Sequence, residues 1–252
     1  MNLKRFNSSS MVIAGLFGAG IFLASSVSAV EEPITVECPL GGGLASGTET
    51  LGMVVNDKGL DGRLFGPHTE AHPPPECVGN GFLVYKNDFA ETELLHLEKY
   101  ISSEEYQRMW RSGVPAFYRL AKIYQYLEHP IAYYAYLYLM ATWKFRDAWS
   151  GGASDLNKDS YEHYAREAIA VFILAVDQMQ LNPYRNQKRL VQFHYLLTEL
   201  YRRVGEFESA EQTLNWLRQT DLNASFIHWT VIEFQDHLIS KKDSDHHMMS
   251  EI

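Results

Sequence analysis

After Asp88 the apolar residues recur three and four apart, the period of a helix that buries one face. Phe117, Leu120, Tyr124 and Leu127 share such a face, with Pro115 suited to the first turn and His129-Pro130 at the end. Ile131 to about Trp149 is apolar almost all round and stops at Gly151-Gly152, the pattern of a buried helix. Tyr164, Ala168, Phe172, Ala175 and Met179 form the next stripe, opened by a cap at Asp159 or Ser160 and closed by Asn182-Pro183. Two closely spaced helices follow, at about 186–204 and 207–219, parted by Gly205. Asn223 caps a last amphipathic helix with Ile227, Val231, Phe234 and Leu238 on one face. Ser102 with Glu105 reads as a capping box opening a short helix toward Trp110. A chain patterned in this way is mainly helical.

The stretch before it is different. From Glu31 to Asp88 structure is broken repeatedly, at Gly41-Gly42-Gly43, Gly59, Gly62, Gly66-Pro67 and Pro73-Pro74-Pro75. Short candidate strands lie between the breaks, at 34–36, 52–55 and 82–85. The expected organisation is a loop-rich module over 30–88, a helical domain over 89–242 and a disordered polar tail over 243–252.

Residues 1–29 have the layout of a secretory signal. Lys4 and Arg5 are followed by an uncharged run from Met11 to Ala24, and Val27-Ser28-Ala29 supplies small residues for cleavage after Ala29. The expected location is periplasmic or secreted, with no stable membrane anchor after cleavage; an uncleaved N-terminal anchor is the alternative. Removing this segment takes two basic residues and no acid, moving the formal charge from −9 to −11. Such a balance disfavours general binding to nucleic acid or to an anionic membrane surface, both of which need cationic patches.

Between 194 and 217 stand Leu197, Tyr201, Gly205, Phe207, Ala210, Leu214 and Leu217. This spacing resembles the tetratricopeptide repeat: a large residue, a glycine at the interhelical turn, an aromatic, then a small residue where two helices touch. Ala168, Phe172 and Ala175 repeat the second-helix spacing one unit upstream. The resemblance implies tetratricopeptide-like helical hairpins of the right-handed α-solenoid type. An ordinary helical bundle with small residues at its contacts is the alternative.

Cys38 and Cys77 are the chain's two cysteines, and in an oxidising compartment they most simply form one disulfide. Cys38-Pro39-Leu40-Gly41-Gly42 and Cys77-Val78-Gly79-Asn80-Gly81-Phe82, with Asp88-Phe89 downstream, resemble the paired C-P-x-C-G knuckles of an uncharacterised bacterial family, a domain of unknown function. In that family the knuckles precede a helical region with repeat character. Where it has its second cysteines, this chain has Gly41 and Asn80, so a four-cysteine zinc site is excluded. An unrelated exported cysteine pair is the alternative.

No nucleophile elbow, phosphate loop or H-E-x-x-H stands after the signal. No catalytic residue, metal ligand or cofactor is therefore assigned, and the chain reads as leaning away from enzymes. His68 and His72, beside Glu70 and Glu76, read as a solvated loop between helix breakers, and Asp243, Asp245, His246 and His247 as a disordered polar end, with a metal site as the alternative in each case. The tyrosines at 133, 134, 136 and 138 read as core with hydroxyls at its rim. Lys188, Gln192, Tyr195, Glu199 and Arg202 share one side of a helix, opposite Phe193, Leu197 and Val204. In tetratricopeptide proteins the first helix of each pair lines the concave surface, so the resemblance makes this stripe the candidate surface for a protein or peptide partner. A plain solvated face is the alternative. The expected function is non-catalytic binding or scaffolding in the cell envelope; the second reading is a metal-dependent or enzymatic factor whose site is assembled from dispersed residues near the N-terminal module.

Overall fold

The computed structural model describes residues 30–145, 155–222 and 227–252. The signal region, the end of the helix expected from Ile131 and the cap at Asn223 lie outside the described residues.

Two small sheets form the entrance. β1 (Glu31–Glu37) and β2 (Leu44–Thr50) pair antiparallel in unbroken register from Glu31 opposite Thr50 to Glu37 opposite Leu44. β3 (Asp57–Lys58) and β4 (Leu64–Phe65) make a second, minimal hairpin, and β5 (Glu76–Cys77) adds to β2, giving the order β1-β2-β5. The expected strand at 52–55 is absent: Met53, Val54 and Val55 are exposed and find no ladder partner. β2 was not expected, because Leu-Ala-Ser-Gly-Thr-Glu-Thr has little β-branched alternation and is held extended by its neighbours on both sides.

Eight α-helices follow among the described residues: α1 (Glu91–Ile101), α2 (Glu104–Arg111), α3 (Ala116–Tyr126), α4 (Ile131–Thr142), α5 (Asp155–Gln180), α6 (Pro183–Arg203), α7 (Phe207–Arg218) and α8 (Trp229–Ser240). From α3 onward each packs on the next in sequence. The start of α2 is one residue later than the capping box implied: Ser103, not Ser102, accepts from the Tyr106 backbone N–H. Tyr161, Ala165, Ala168, Phe172, Ala175 and Met179 form the buried stripe of α5, and its alanines admit the neighbouring helices closely. Between α6 and α7, Gly205 has φ +77°, a conformation that costs glycine nothing and lets the chain reverse in a few residues. Ala210 is fully buried where the two helices meet.

Two cores result, and their boundary does not fall at residue 88. The first joins the Cys38–Cys77 disulfide, Leu40, Ala45 and Phe82 to Leu97, Tyr100, Ile101, Tyr106 and Ile123 of α1–α3. Arg119 of α3 locks this junction. It donates to the Gly81 carbonyl at 2.8 Å and pairs with Glu76, which also accepts from the Trp110 indole at 2.7 Å. Gly81 has φ +72° and lies so close to the Trp110 ring that a Cβ there would overlap it. The second core fills α4–α8 and takes in Leu60, which the β3–β4 hairpin inserts among the helices. The loop-rich segment is therefore not a separate body.

The tail is a further departure from expectation. Residues 243–252 are ordered against the rest of the protein: the Leu60 N–H donates to the His247 carbonyl at 3.1 Å, Gly59 bridges Met248, and Ser250 bonds the Asp57 carboxylate. A polar tail is held here because its backbone and acids find partners on β3 and α6.

Candidate functional site

The stripe expected on α6 is divided by the structure. Its first part borders a cavity of about 250 Å³, to which Lys188, Arg189, Gln192, Tyr195 and Leu196 contribute from α6. Tyr136 of α4 faces them, Ile227 comes from just before α8 and Val231 from its first turn, Lys58 and Gly62 from the β3–β4 hairpin, and Met249 from the tail. Gln192 donates to the Tyr136 hydroxyl at 2.6 Å. Tyr195 is only 6 % exposed, and its hydroxyl donates to the Leu60 carbonyl at 2.7 Å, so this residue both walls the cavity and holds the hairpin. Burial raises its phenol well above the ordinary range, keeping it a neutral donor.

The second part of the stripe is not a surface. Glu199 and Arg202 are 1 % and 0 % exposed. Arg202 donates twice to the Glu199 carboxylate, at 2.7 and 3.0 Å, and also to the carbonyls of Asp243 and Asp245 at 2.7 and 2.9 Å. Burial works against the Arg202 charge, and Glu199 outweighs it, so the guanidinium holds its proton more tightly than a free arginine. Gln235 of α8 donates to the same carboxylate at 3.2 Å. The tail buries this pair: it lies across this end of α6 and covers residues that helical period alone leaves facing outward.

Around this pair lies a buried polar junction. Asp61 accepts from the Arg63 backbone N–H at 3.0 Å, and burial pushes its carboxyl above the usual range. Arg63 reaches the Trp143 carbonyl, and Arg203 lies over the Tyr161 ring at 4.8 Å and bonds the Ser244 carbonyl. His246 is held down to about 4 by burial and by the Arg203 charge, so its imidazole is neutral at neutral pH. These groups take their contacts from the end of α4, α5, α6, the hairpin and the tail, and the arrangement fastens those five parts together.

At the other end of the molecule, the disulfide joins Cys38 and Cys77 with 5.6 Å between their Cα atoms. A Cβ on Gly41 would stand 3.2 Å from the Asn80 amide nitrogen, which bonds the Leu40 carbonyl at 2.9 Å. The two positions where the resembled knuckles carry second cysteines thus face each other beside the disulfide. His68 and His72 both lie 3.3 Å from one Glu31 carboxylate oxygen. No group of three or more His, Cys, Asp or Glu is arranged to hold a metal ion among the described residues.

Sequence reasoning missed Lys58, Arg189, Tyr136 and Met249 at the cavity. Arg189 lies one step off the stripe, and Tyr136 reads from sequence as core with its hydroxyl at the rim. The signal for Met249 was Met248-Met249 and Ile252, apolar residues in an otherwise polar tail.

No helix among the described residues is long and apolar enough to cross a membrane. Comparison with curated proteins and with solved structures finds no match. The helical region does match a family: residues 89–228, from just before α1 to the edge of α8, fit the one described as an uncharacterized protein conserved in bacteria (DUF2225). With more than half of its length matched, the chain belongs to that family.

Proposed function

We propose that the chain is an exported, non-catalytic binding or scaffolding protein of the cell envelope, holding a protein or peptide partner at the N-terminal half of α6. The observation that carries the reading is the cavity, where Lys188, Gln192 and Tyr195 meet the hairpin and the tail. Sequential packing of α3–α8, with Gly205 at a tight turn and Ala210 at a close contact, supports a tetratricopeptide-like arrangement of the right-handed solenoid type. In such an arrangement α6 is a first helix and its exposed side belongs to the groove. Export is supported by the signal-like residues 1–29 and by a disulfide, which persists in oxidising compartments.

Site-specific photo-crosslinking in the envelope tests this. A crosslinker replacing Lys188 should capture a discrete protein, whereas one replacing Glu211, exposed on α7, should not. Capture from position 211 with none from 188 would place the binding face elsewhere.

A further inference from the structure

We infer that the α6 cavity receives the C-terminal end of a peptide chain, its carboxylate at the cationic rim and an apolar last side chain inside; this rests on the peptide-binding reading above. The first ground is charge. The protein carries 31 acidic residues against 22 basic ones, yet Lys58, Lys188 and Arg189 stand around this opening and no Asp or Glu lines it. The cations come from opposite walls, Lys58 from β3 and the other two from α6. All three are exposed, and none forms an ion pair among the described residues. Unpaired cations converging on one opening concentrate positive potential there and favour an anion. An arginine with two lysines suits a carboxylate, which can accept from a guanidinium through both oxygens.

The second ground is the interior. Leu196, Ile227, Val231 and Met249 give it an apolar lining, so a bare inorganic anion would leave most of that surface unused. Its volume of about 250 Å³ falls just below the roughly 300–1,000 Å³ of pockets that enclose drug-sized ligands. A helix or strand does not fit such a space, whereas a single apolar side chain on a chain end does. The third ground is a polar pair at the wall. The Gln192 amide nitrogen is engaged by Tyr136, leaving the Gln192 carbonyl oxygen to accept a peptide N–H and the Tyr136 hydroxyl proton to be donated. Capture of a terminal carboxylate beside an apolar pocket is an established mode of peptide recognition.

The test uses the disulfide-intact protein and fluorescence anisotropy with a labelled Gly-Ser-Gly-Ser-Leu peptide. The free acid should bind, amidation of its C-terminus should weaken binding about tenfold or more, and the K188A/R189A variant should do the same. Both side chains are exposed, so the variant should melt as the parent does; if it unfolds, the amidated peptide decides alone. Equal binding of acid and amide would overturn the inference. So would 4-methylpentanoate displacing the peptide at equal concentration, which would make the site one for small carboxylates. Failure of every peptide, with crosslinking from position 188 still capturing a partner, would defeat this inference and leave the binding role standing. Failure of both would remove the two together.

Discussion

The Tyr195 hydroxyl donates to the Leu60 carbonyl at 2.7 Å, linking residues 135 apart in sequence through a site with no exposure to water at Leu60. The bond fixes the β3–β4 hairpin on α6 and so sets one wall of the cavity. A residue on the proposed ligand face is thereby also a structural fastener, and the two roles separate experimentally.

Tyr195→Phe keeps the ring and leaves the Leu60 carbonyl buried without its donor. The expected cost is about 1–3 kcal/mol, seen as a fall in Tm of ~2–4 °C for each kcal/mol in a chain of this size. Hydrogen exchange should quicken over 57–65 first. Peptide binding should change less than in the K188A/R189A variant, since the cationic rim is untouched. An unchanged melting temperature would show that the hydroxyl contributes nothing to holding the hairpin.

Arg202→Met should be far more damaging than a change on a solvated helix face, which moves stability by about 0.5 kcal/mol or less. It strands the Glu199 carboxylate in the interior, where Gln235 still donates to it, and frees the carbonyls of Asp243 and Asp245. Breaking a buried pair from one side costs ~3–5 kcal/mol. The double variant E199Q/R202M should recover part of that loss in denaturant unfolding, because no bare charge remains. A single-variant loss below 1 kcal/mol would mean that water reaches the pair.

Acid should weaken the fold in a defined window. His194 stacks on Trp216 with ring centroids 3.7 Å apart, and burial lowers its pKa to about 4. His246 is likewise lowered to about 4. Each folded value lies below the unfolded one of about 6.5, so between these values the unfolded chain binds more protons. Stability is then complete above about pH 6.5 and is lost as pH falls toward 4. Raised in the fold, Asp61 acts in the opposite sense, its contribution growing as its carboxyl protonates. His194→Phe should flatten the acid limb of a plot of unfolding free energy against pH. The same slope in parent and variant would show that His194 is solvated.

Helical period made α4, α6, α7, the Gly205 turn and the Ala210 contact legible, because each depends on residues within two turns of one another. It could not say what covers a helix. Lys188 to Arg202 lie on one side of α6, but only contact with residues 243–252 decides that Arg202 is interior while Lys188 remains exposed. The disulfide was legible because the chain has just two cysteines. The cavity was not, since Lys58, Tyr136, Arg189 and Met249 come together only after four separate segments have packed. Composition also misled at Gly52–Val55, where the apolar residues suggest a strand but only single backbone bonds form, Val54 N–H to the Pro67 carbonyl and Asn56 N–H to the Phe65 carbonyl, and no ladder results, whereas β2 exists because β1 and β5 flank it.

The Cys38–Cys77 bond should be present in protein taken from its native compartment, and thiol titration after unfolding without reductant should find no free thiol. Its sequence separation of 39 closes a loop whose constraint on the unfolded chain is worth about 3.9 kcal/mol by chain entropy. Reduction should therefore lower the melting temperature substantially. The shared core decides where the loosening goes. Both cysteines are buried with Phe82, Leu97, Tyr100, Ile101 and Tyr106, so α1 and α2 should lose protection along with 38–50 and 76–82. The β3–β4 hairpin lies between the cysteines in sequence yet is anchored on α6 and the tail, through Tyr195 with Leu60 and Ser250 with Asp57. It should outlast the β1–β2 turn, and proteolysis of the reduced protein should begin near Gly41-Gly42-Gly43 while α4–α7 persist. Two titratable thiols in native material would refute the disulfide. Simultaneous loss of every helix on reduction would show that the two cores unfold as one.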